Sequence, residues 1–396
     1  MNFQFLNRQL AYLFLCNLAI VFIGMGVFPI LPLYAAQFGA ARAAIGLYLS
    51  FTYVAIAAGA LLAGRLAERV GARRVFVGAG LLGLPAVVLL GQAANFGQVV
   101  AYTAVVWFTG GLGLALISTF TAQRAAGGSR GRSFSVLSLA SPLGALLGGA
   151  LVGQLIARFG YSVMFAGLAV VWSVWPLTAL LGVAVPPRPA AGPVPPAAQR
   201  GPARPGRGFG RLWLGTLLAA LTISAARLGT SLSMQGLGFS AGAVASTAAV
   251  SGLITIPATL LIGTLSDRLG RRRFLMLGYG LAAAAALVVS GATQLWHFWL
   301  AATLGLVAHS ASGAVSSAFA TDLLAAEAVR RRLPWLNATS WLAGIVAFAG
   351  LGAAIDALGR GPAFMLCAGL ALAAMLQLRR VPPARTAAAQ LKPEQV

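Results

Sequence analysis

Residues 263–275 read GTLSDRLGRRRFL, and residues 64–76 read GRLAERVGARRVF. Both stretches carry a glycine, an acidic residue four positions later, a second glycine and then a group of arginines. Each stretch follows the second long apolar run of its half of the chain. The recurrence indicates that the chain consists of two similar halves that follow one another in the same orientation.

Long apolar runs occupy most of the 396 residues. Hydrophobic residues make up 59% of the chain and charged residues only 9%, whereas a soluble chain has about 25% charged residues. A run of about 20 apolar residues crosses a bilayer, and a lone crossing segment must be helical to satisfy its own backbone. Such runs lie at 10–33, 44–64, 75–93, 98–121, 134–157, 161–183, 211–235, 242–263, 274–292, 298–320, 335–355 and 361–378.

The sixth and seventh runs are separated by PPRPAAGPVPPAAQRGPARPGRG (186–208), which can neither insert into lipid nor pack. We therefore predict an all-α integral membrane protein with twelve transmembrane helices. It is divided into an N-terminal six-helix bundle (1–185), a linker rich in Pro and Arg (186–210) and a C-terminal six-helix bundle (211–396). Because each half has an even number of spans, the halves form a parallel repeat about the membrane normal.

The distribution of basic residues predicts the orientation. The chain has 28 Lys and Arg against 6 Asp and Glu. One side of the predicted spans receives only Arg42, Arg158 and Arg360, Arg227 lies inside a span, and all other basic residues fall on the other side. The positive-inside rule places that richer side, with both termini and the linker, in the cytoplasm. The charge thus reflects topology, and we expect the inner membrane of a bacterium and no nucleic-acid partner.

The two repeated loops resemble the signature loop of the major facilitator superfamily, G-x-L-(a)-D-(r)-x-G-(r/k)-(r/k). The second copy matches at every defining position, while the first has Glu68 where Asp is usual and Ala72 where a basic residue is usual. The resemblance covers essentially the whole chain. It implies a secondary transporter, not an enzyme, in which two bundles rock around a central site.

The resemblance also implies that these loops latch the two halves on the cytoplasmic side in one state. The alternative is that the arginines only enforce topology and the acids only trim the charge. The candidate gating residues are Gly64, Glu68, Arg69, Gly71, Arg73, Gly263, Asp267, Arg268, Gly270 and Arg271.

The fifth span contains SPLGALLGG (141–149), which is similar to the G-P-x-x-G-x-x-x-G element of drug/proton antiporters. Its candidate residues are Pro142, Gly144, Gly148 and Gly149. The alternative is ordinary helix packing, for which membrane helices commonly use small residues. The fourth span lacks the arginine of the R-x-x-Q-G element that many of those antiporters carry.

Polar side chains inside the spans are the candidates for substrate binding, because they are costly in lipid. The resemblance places Asn17, Trp107, Arg227 and His309 near the central cavity. Arg227 shares a helix face with Ser224 and Ser231, and His309 shares one with Ser312 and Ser316. Arg227 either sits in water within a polar cavity, recognises an anion or reaches toward the membrane surface, and His309 either lines the cavity or binds a neighbouring helix.

We expect a monomer that moves a small organic solute by alternating access, with proton-coupled efflux of drugs or metabolites as one form. Uptake or exchange of an organic anion recognised by Arg227 is the alternative, and a non-transporting receptor is a remote one. His309 and Asp322 are the candidate proton carriers. The chain has no P-loop, and its one lysine is Lys392. We predict no cofactor, no metal site and no catalytic residue.

Overall fold

The computed structural model of the chain describes residues 8–124, 130–183, 207–324 and 326–381, which form helices joined by short turns. A 3-10 helix (Phe28–Ile30) joins the first two α-helices. The α-helices are α1 (Arg8–Gly26), α2 (Leu31–Ala36), α3 (Arg42–Val70), α4 (Ala72–Leu90), α5 (Phe96–Arg124), α6 (Arg130–Ser138), α7 (Ala140–Gly182), α8 (Arg207–Gly236), α9 (Ala241–Leu269), α10 (Arg271–Gly291), α11 (Leu295–Leu323), α12 (Ala326–Asn337), α13 (Thr339–Leu358) and α14 (Arg360–Arg379).

Eleven helical stretches within the described residues are long and apolar enough to cross a membrane. One of them, Phe134–Gly182, has 49 residues, which would be about 74 Å as one straight helix against about 30 Å of hydrocarbon. Gly160 interrupts it with φ 77° and ψ −177°, a backbone conformation open to glycine. The stretch therefore provides two crossings, and the total agrees with the twelve predicted spans.

The helices α1–α7 form one half and α8–α14 the other. Within the halves, α1 packs on α7 and α3 on α5, while α10 packs on α11 and α14. Between the halves, α3 packs on α13 and α7 packs on α9. We call the side on which α1 begins and α14 ends the terminal side, and the opposite side the distal side. The predicted linker 186–210 falls largely outside the described residues, and α8 begins at Arg207.

The surface of the helices is apolar, as a lipid solvent requires. Leu181 is 85% exposed, Leu61 80% and Val170 71%. Exposing these side chains to water would be unfavourable, whereas lipid tails are as apolar as they are. Several large aromatic side chains, such as Trp172 and Phe348, are instead fully buried between helices. The sorting of residues confirms a membrane-embedded, all-helical fold.

The halves approach most closely in the distal parts of α3, α7, α9 and α13. A Cβ at Gly352 would lie 2.5 Å from the carbonyl oxygen of Arg42, and one at Gly46 would meet the carbonyl oxygen of Phe348. Arg42 Nη1 and Asp356 Oδ1, 3.3 Å apart, form an ion pair at the distal end of the same contact. Glycine at these positions lets the helix backbones touch, so the two halves are in contact on the distal side.

Candidate functional site

A cavity of about 430 Å³ lies between the two halves. Its volume is in the range of pockets that bind small organic molecules. Residues from α1, α3, α5 and α7 line one wall, and residues from α8, α9, α11, α12 and α13 line the other. The lining is mostly apolar and aromatic, and its aromatic members are Phe28, Tyr53, Trp107, Trp172 and Trp341.

Arg227 of α8 reaches across the cavity to the other half. Its Nη2 donates to the carbonyl oxygen of Gly24 at 3.3 Å and contacts Met25 Sδ at 3.3 Å, and its Nη1 donates to the Tyr53 hydroxyl at 3.4 Å. Its Cζ lies 3.9 Å from the centre of the Phe28 ring. Every one of these partners belongs to the N-terminal half, so the guanidinium joins the two halves.

The end of α1 explains how this arginine is tolerated without an acidic partner. Gly24 lies in the last turn of α1, where carbonyl groups lack helical partners and carry a partial negative charge. Pro29 has no N–H and therefore cannot extend the helical bonding. The face of Phe28 adds a cation–π contact, worth about 0.5–2 kcal/mol. No carboxylate pairs with Arg227 among the residues that the structure describes.

The donor capacity of Arg227 is only partly used. A guanidinium carries five N–H groups, and the bonds found here are at the long end of the hydrogen-bond range. Ser231, one turn further along α8, is 1% exposed, lines the cavity and has an Oγ without a partner among the described groups. Ser224, one turn before, lines the cavity too. Together they form a cationic, hydrogen-bonding corner that could accept an anion.

His309 and Gly313 of α11 line the cavity from the same half as Arg227, and the His309 side chain is exposed to it. Ser312 and Ser316, which the sequence predicts to share the helix face of His309, do not line the cavity. Ser312 is buried with its Oγ unpartnered by any described group, and Ser316 Oγ lies 3.5 Å from the carbonyl oxygen of Gly313. His309 and Gly313 therefore face the cavity, whereas Ser312 and Ser316 face neighbouring helices.

The remaining predicted binding residues are split in the same way. Trp107 lines the cavity, although it is only 6% exposed. Asn17 does not line it, because its Nδ2 donates to the carbonyl oxygen of Leu137 at 3.0 Å. Asp322 lies near the terminal end of α11, where it pairs with Arg271 at 2.7 Å. The structure thus brings Arg227, Ser224, Ser231, Trp107 and His309 together at one cavity.

The two repeated loops form tight reversals on the terminal side. Gly71 and Gly270 have φ of 98° and 83°, the region that favours glycine. Arg73 donates to the carbonyl oxygen of Leu180 at 3.0 Å, and Arg271 donates to that of Ala318 at 2.8 Å. These bonds stay within one half each.

The other candidate gating residues belong to α3 and α9, the helices that lead into these turns. Glu68 and Arg69 are in the last turn of α3, and Arg268 is in the last turn of α9. A Cβ at Gly64 would meet nothing within 4 Å. The side chain of Asp267 and the surroundings of Gly263 are outside the described part of the chain.

The element in the fifth span packs helices together. A Cβ at Gly148 would lie 2.7 Å from the carbonyl oxygen of Phe22 in α1, and one at Gly144 would lie 3.0 Å from Phe22 N. On the other face of α7, a Cβ at Gly149 would lie 2.5 Å from Ala249 N of α9. The carbonyl of Pro142 borders Gly252 of α9 in the same way. The glycines thus allow α7 to pack closely against both α1 and α9, and this geometry favours the packing interpretation.

Sequence reasoning did not find the residues that surround Arg227. Phe28, Met25 and Tyr53 are ordinary members of apolar runs, so composition and spacing do not distinguish them. One available signal was the pair Pro29 and Pro32, which predicts an interrupted helix and free carbonyls near the end of α1.

The comparisons with known proteins agree with this architecture. The family model described as Major Facilitator Superfamily matches residues 13–234 and 212–395. No curated protein sequence matches the chain.

Among solved structures, a peptide transporter POT in complex with sulfate aligns with a TM-score of 0.74 and 16% identity over 96% of this chain and 95% of that one. An auto-inhibited POT family peptide transporter aligns with a TM-score of 0.71 and 14% identity, over 95% of this chain and 96% of that one. A bacterial homolog of the human lysosomal transporter Spinster, in an inward-facing and unoccupied conformation, aligns with a TM-score of 0.66 and 17% identity over 94% of each chain. The family match to both halves, on a fold of twelve crossings around a central cavity, identifies the chain as a transporter of the Major Facilitator Superfamily.

Proposed function

We propose that the chain transports a small organic anion by alternating access, with Arg227 as the anion receptor. The observation that carries this proposal is a guanidinium in the cavity between the halves that has no carboxylate partner among the described residues. An arginine within a membrane span costs about 3 kcal/mol or more, so a bound anion would stabilise it. The unpartnered Ser231 hydroxyl beside it could supply a further donor.

The rest of the cavity indicates the chemistry of the part of the substrate that is attached to its anionic group. The lining beyond Arg227 is mainly apolar and includes five aromatic side chains from both halves. Such walls suit a flat or lipophilic body attached to a single anionic group. We therefore propose an aromatic or aliphatic monocarboxylate, or a molecule of similar charge and shape, as the substrate class.

The second candidate is proton-coupled efflux of lipophilic drugs or metabolites. The aromatic, largely uncharged walls of the cavity favour it. His309 would then carry the proton, since it is the histidine that faces the cavity, with Arg227 and Tyr53 as the other titratable side chains of the lining. Replacing His309 with Gln should change the pH dependence of transport, and an unchanged profile would remove it from the mechanism.

We also propose an orientation and a working form for the protein. We place both termini and the linker 186–210 in the cytoplasm of a bacterium, with the bundles 1–185 and 211–396 as the moving units and a monomer as the working form. The distal side then faces outward. Because the halves touch in their distal parts, we propose that this conformation is closed to the outside.

The test uses carboxylates and their amide isosteres as paired ligands. Purified wild-type protein and Arg227→Gln are titrated with benzoate and benzamide, and with tetraphenylphosphonium as a lipophilic cation. Bonds to charged groups are worth about 1.5–3 kcal/mol each, so we expect R227Q to bind benzoate at least tenfold more weakly. Benzamide affinity should change little.

Arg227→Lys serves as the matched control, because it keeps the charge but loses the planar fork. It should bind benzoate with an affinity between those of wild type and R227Q. Equal benzoate affinity in wild type and R227Q would exclude Arg227 as the receptor. Retained binding and efflux of tetraphenylphosphonium in R227Q would favour the second candidate.

A further inference from the structure

Arg227 lies at a position where substrate recognition and closure of the distal side meet. Its side chain starts on α8 of one half and ends on α1 and α3 of the other. Each contact of the guanidinium therefore has to break when the halves separate around it. A carboxylate bound in bidentate fashion takes two nitrogens of a guanidinium, and both Nη1 and Nη2 already donate to the other half.

Tyr53 is the partner best placed to connect these two events. Its hydroxyl accepts the bond from Arg227 Nη1 at 3.4 Å. Its ring packs edge-on against Phe348 of α13, with ring centres 4.7 Å apart, and borders Gly344 of the same helix, where no Cβ would fit. Tyr53 thus belongs to one half but contacts the other half through both its ring and its hydroxyl.

Phe28 completes the arrangement from the end of α1. Its ring lies under the guanidinium at 3.9 Å and contacts Phe348 with ring centres 5.4 Å apart. Phe28 also approaches Tyr53, with ring centres 6.2 Å apart. The three rings and the guanidinium form one connected layer, which we call the aromatic layer: Phe28, Tyr53, Phe348 and Arg227.

We infer that Tyr53 and Phe28 are positioning residues that hold Arg227 across the interface, so that an anion must compete with the distal closure for the guanidinium. The competition with an anion rests on the proposed function, whereas the positioning of Arg227 does not. The inference predicts that loosening the aromatic layer opens the distal side and at the same time frees Arg227 for an anion.

The first test measures access to the cavity from the distal side without any ligand. Ala302 lines the cavity, so Ala302→Cys, in a background with Cys16 and Cys367 replaced by Ala, reports its accessibility to a membrane-impermeant thiol reagent. Thr293→Cys, in the distal turn between α10 and α11, identifies the membrane preparation in which the reagent reaches the distal side.

The hydroxyl of Tyr53 is then removed while its ring is kept. Tyr53→Phe should raise the distal labelling rate about two- to tenfold, the value of one hydrogen bond. Arg227→Gln should raise it at least as much, and Phe28→Leu should raise it too. Because Tyr53 acts through Arg227, the double variant Y53F/R227Q should label no faster than R227Q alone.

Tyr48→Phe provides the matched control on the same helix. The Tyr48 hydroxyl is buried and bonded to Thr103 at 2.9 Å, but this bond stays within the N-terminal half. Y48F should therefore leave the distal labelling rate unchanged. The inference is overturned if Y53F labels like wild type, if the effects of Y53F and R227Q multiply, or if Y48F and Y53F act alike.

The second test uses benzoate as the probe of competition. Y53F should bind benzoate about two- to tenfold more tightly than wild type, because a competing acceptor is gone, while benzamide affinity stays the same. Unchanged or weaker benzoate binding in Y53F would overturn the competition. If wild type and R227Q bind benzoate alike, the proposed function fails, and the labelling cycle still decides whether Tyr53 positions Arg227.

Discussion

The contact between α3 and α13 gives a quantitative prediction. Gly352 and Gly350 lie on the same helix, but a Cβ at Gly352 would lie 2.5 Å from the carbonyl oxygen of Arg42 and 2.8 Å from its carbonyl carbon. A Cβ at Gly350 would meet nothing within 4 Å. Because the obstacle at Gly352 is backbone and not a flexible side chain, Gly352→Ala has to push the helices apart.

Overpacking of this kind costs about 1–3 kcal/mol. Alanine also favours a helix over glycine by about 1 kcal/mol, but this gain is the same in Gly350→Ala and cancels in the comparison. The distal-closed state of G352A should therefore lose about 1–3 kcal/mol relative to G350A. That difference raises the ratio of open to closed molecules by a factor of about 5 to 150.

The assay is the labelling of Ala302→Cys by an impermeant thiol reagent applied from the distal side. G352A should label much faster than wild type, and G350A should label at the wild-type rate. Thermal unfolding and size exclusion of the purified variants show whether each still folds. Gly46→Ala repeats the test from α3, because its Cβ would meet the carbonyl oxygen of Phe348. Labelling of folded G352A and G46A at the wild-type rate would refute the proposed closure.

Three further substitutions test other parts of the fold. Asp356→Asn removes the ion pair with Arg42, in which the Asp356 and Arg42 side chains are 46% and 52% exposed. Exposed ion pairs are worth about 0.2–1 kcal/mol, so distal labelling should rise less than about fivefold, and less still in high salt. Reversing both charges should restore the wild-type labelling rate. Gly160→Ala should lower the free energy of unfolding by about 1–3 kcal/mol through backbone strain alone, since its Cβ would meet nothing within 4 Å; an unchanged melting temperature would contradict this. Asp322→Asn should leave benzoate affinity and the pH profile of transport unchanged, because Asp322 is paired with Arg271 away from the cavity; a shifted profile would return Asp322 to the mechanism.

The architecture is largely predictable because lipid restricts what a crossing segment can be. Each span must be an apolar helix, so the twelve runs can be counted from the sequence. A break in the apolar run between 157 and 161 predicts the division near Gly160, and the structure has a positive φ there. The similarity of the segments 64–76 and 263–275 indicates the repeat. These features depend on local chemistry and on the solvent, which the sequence records directly.

The candidate site is predictable only where a residue is rare for its surroundings. Arg227 is a charge within an apolar span, and its cost in lipid is enough to single it out. Its partners Phe28 and Tyr53 are aromatic residues among many, and only the packing of α1 and α3 against α8 selects them. Asn17 shows the converse. It is as rare as Arg227 within its span, but a carbonyl group of a neighbouring segment satisfies it.

Exchange of a labelled carboxylate by proteoliposomes tests the central claim most directly. Vesicles loaded with unlabelled benzoate and containing wild-type protein should take up labelled benzoate saturably, while benzamide in the same concentration range should not compete. Vesicles with R227Q, reconstituted to the same protein density, should take up no more than empty vesicles. Uptake by R227Q at the wild-type rate would contradict the assignment of Arg227 as the anion receptor.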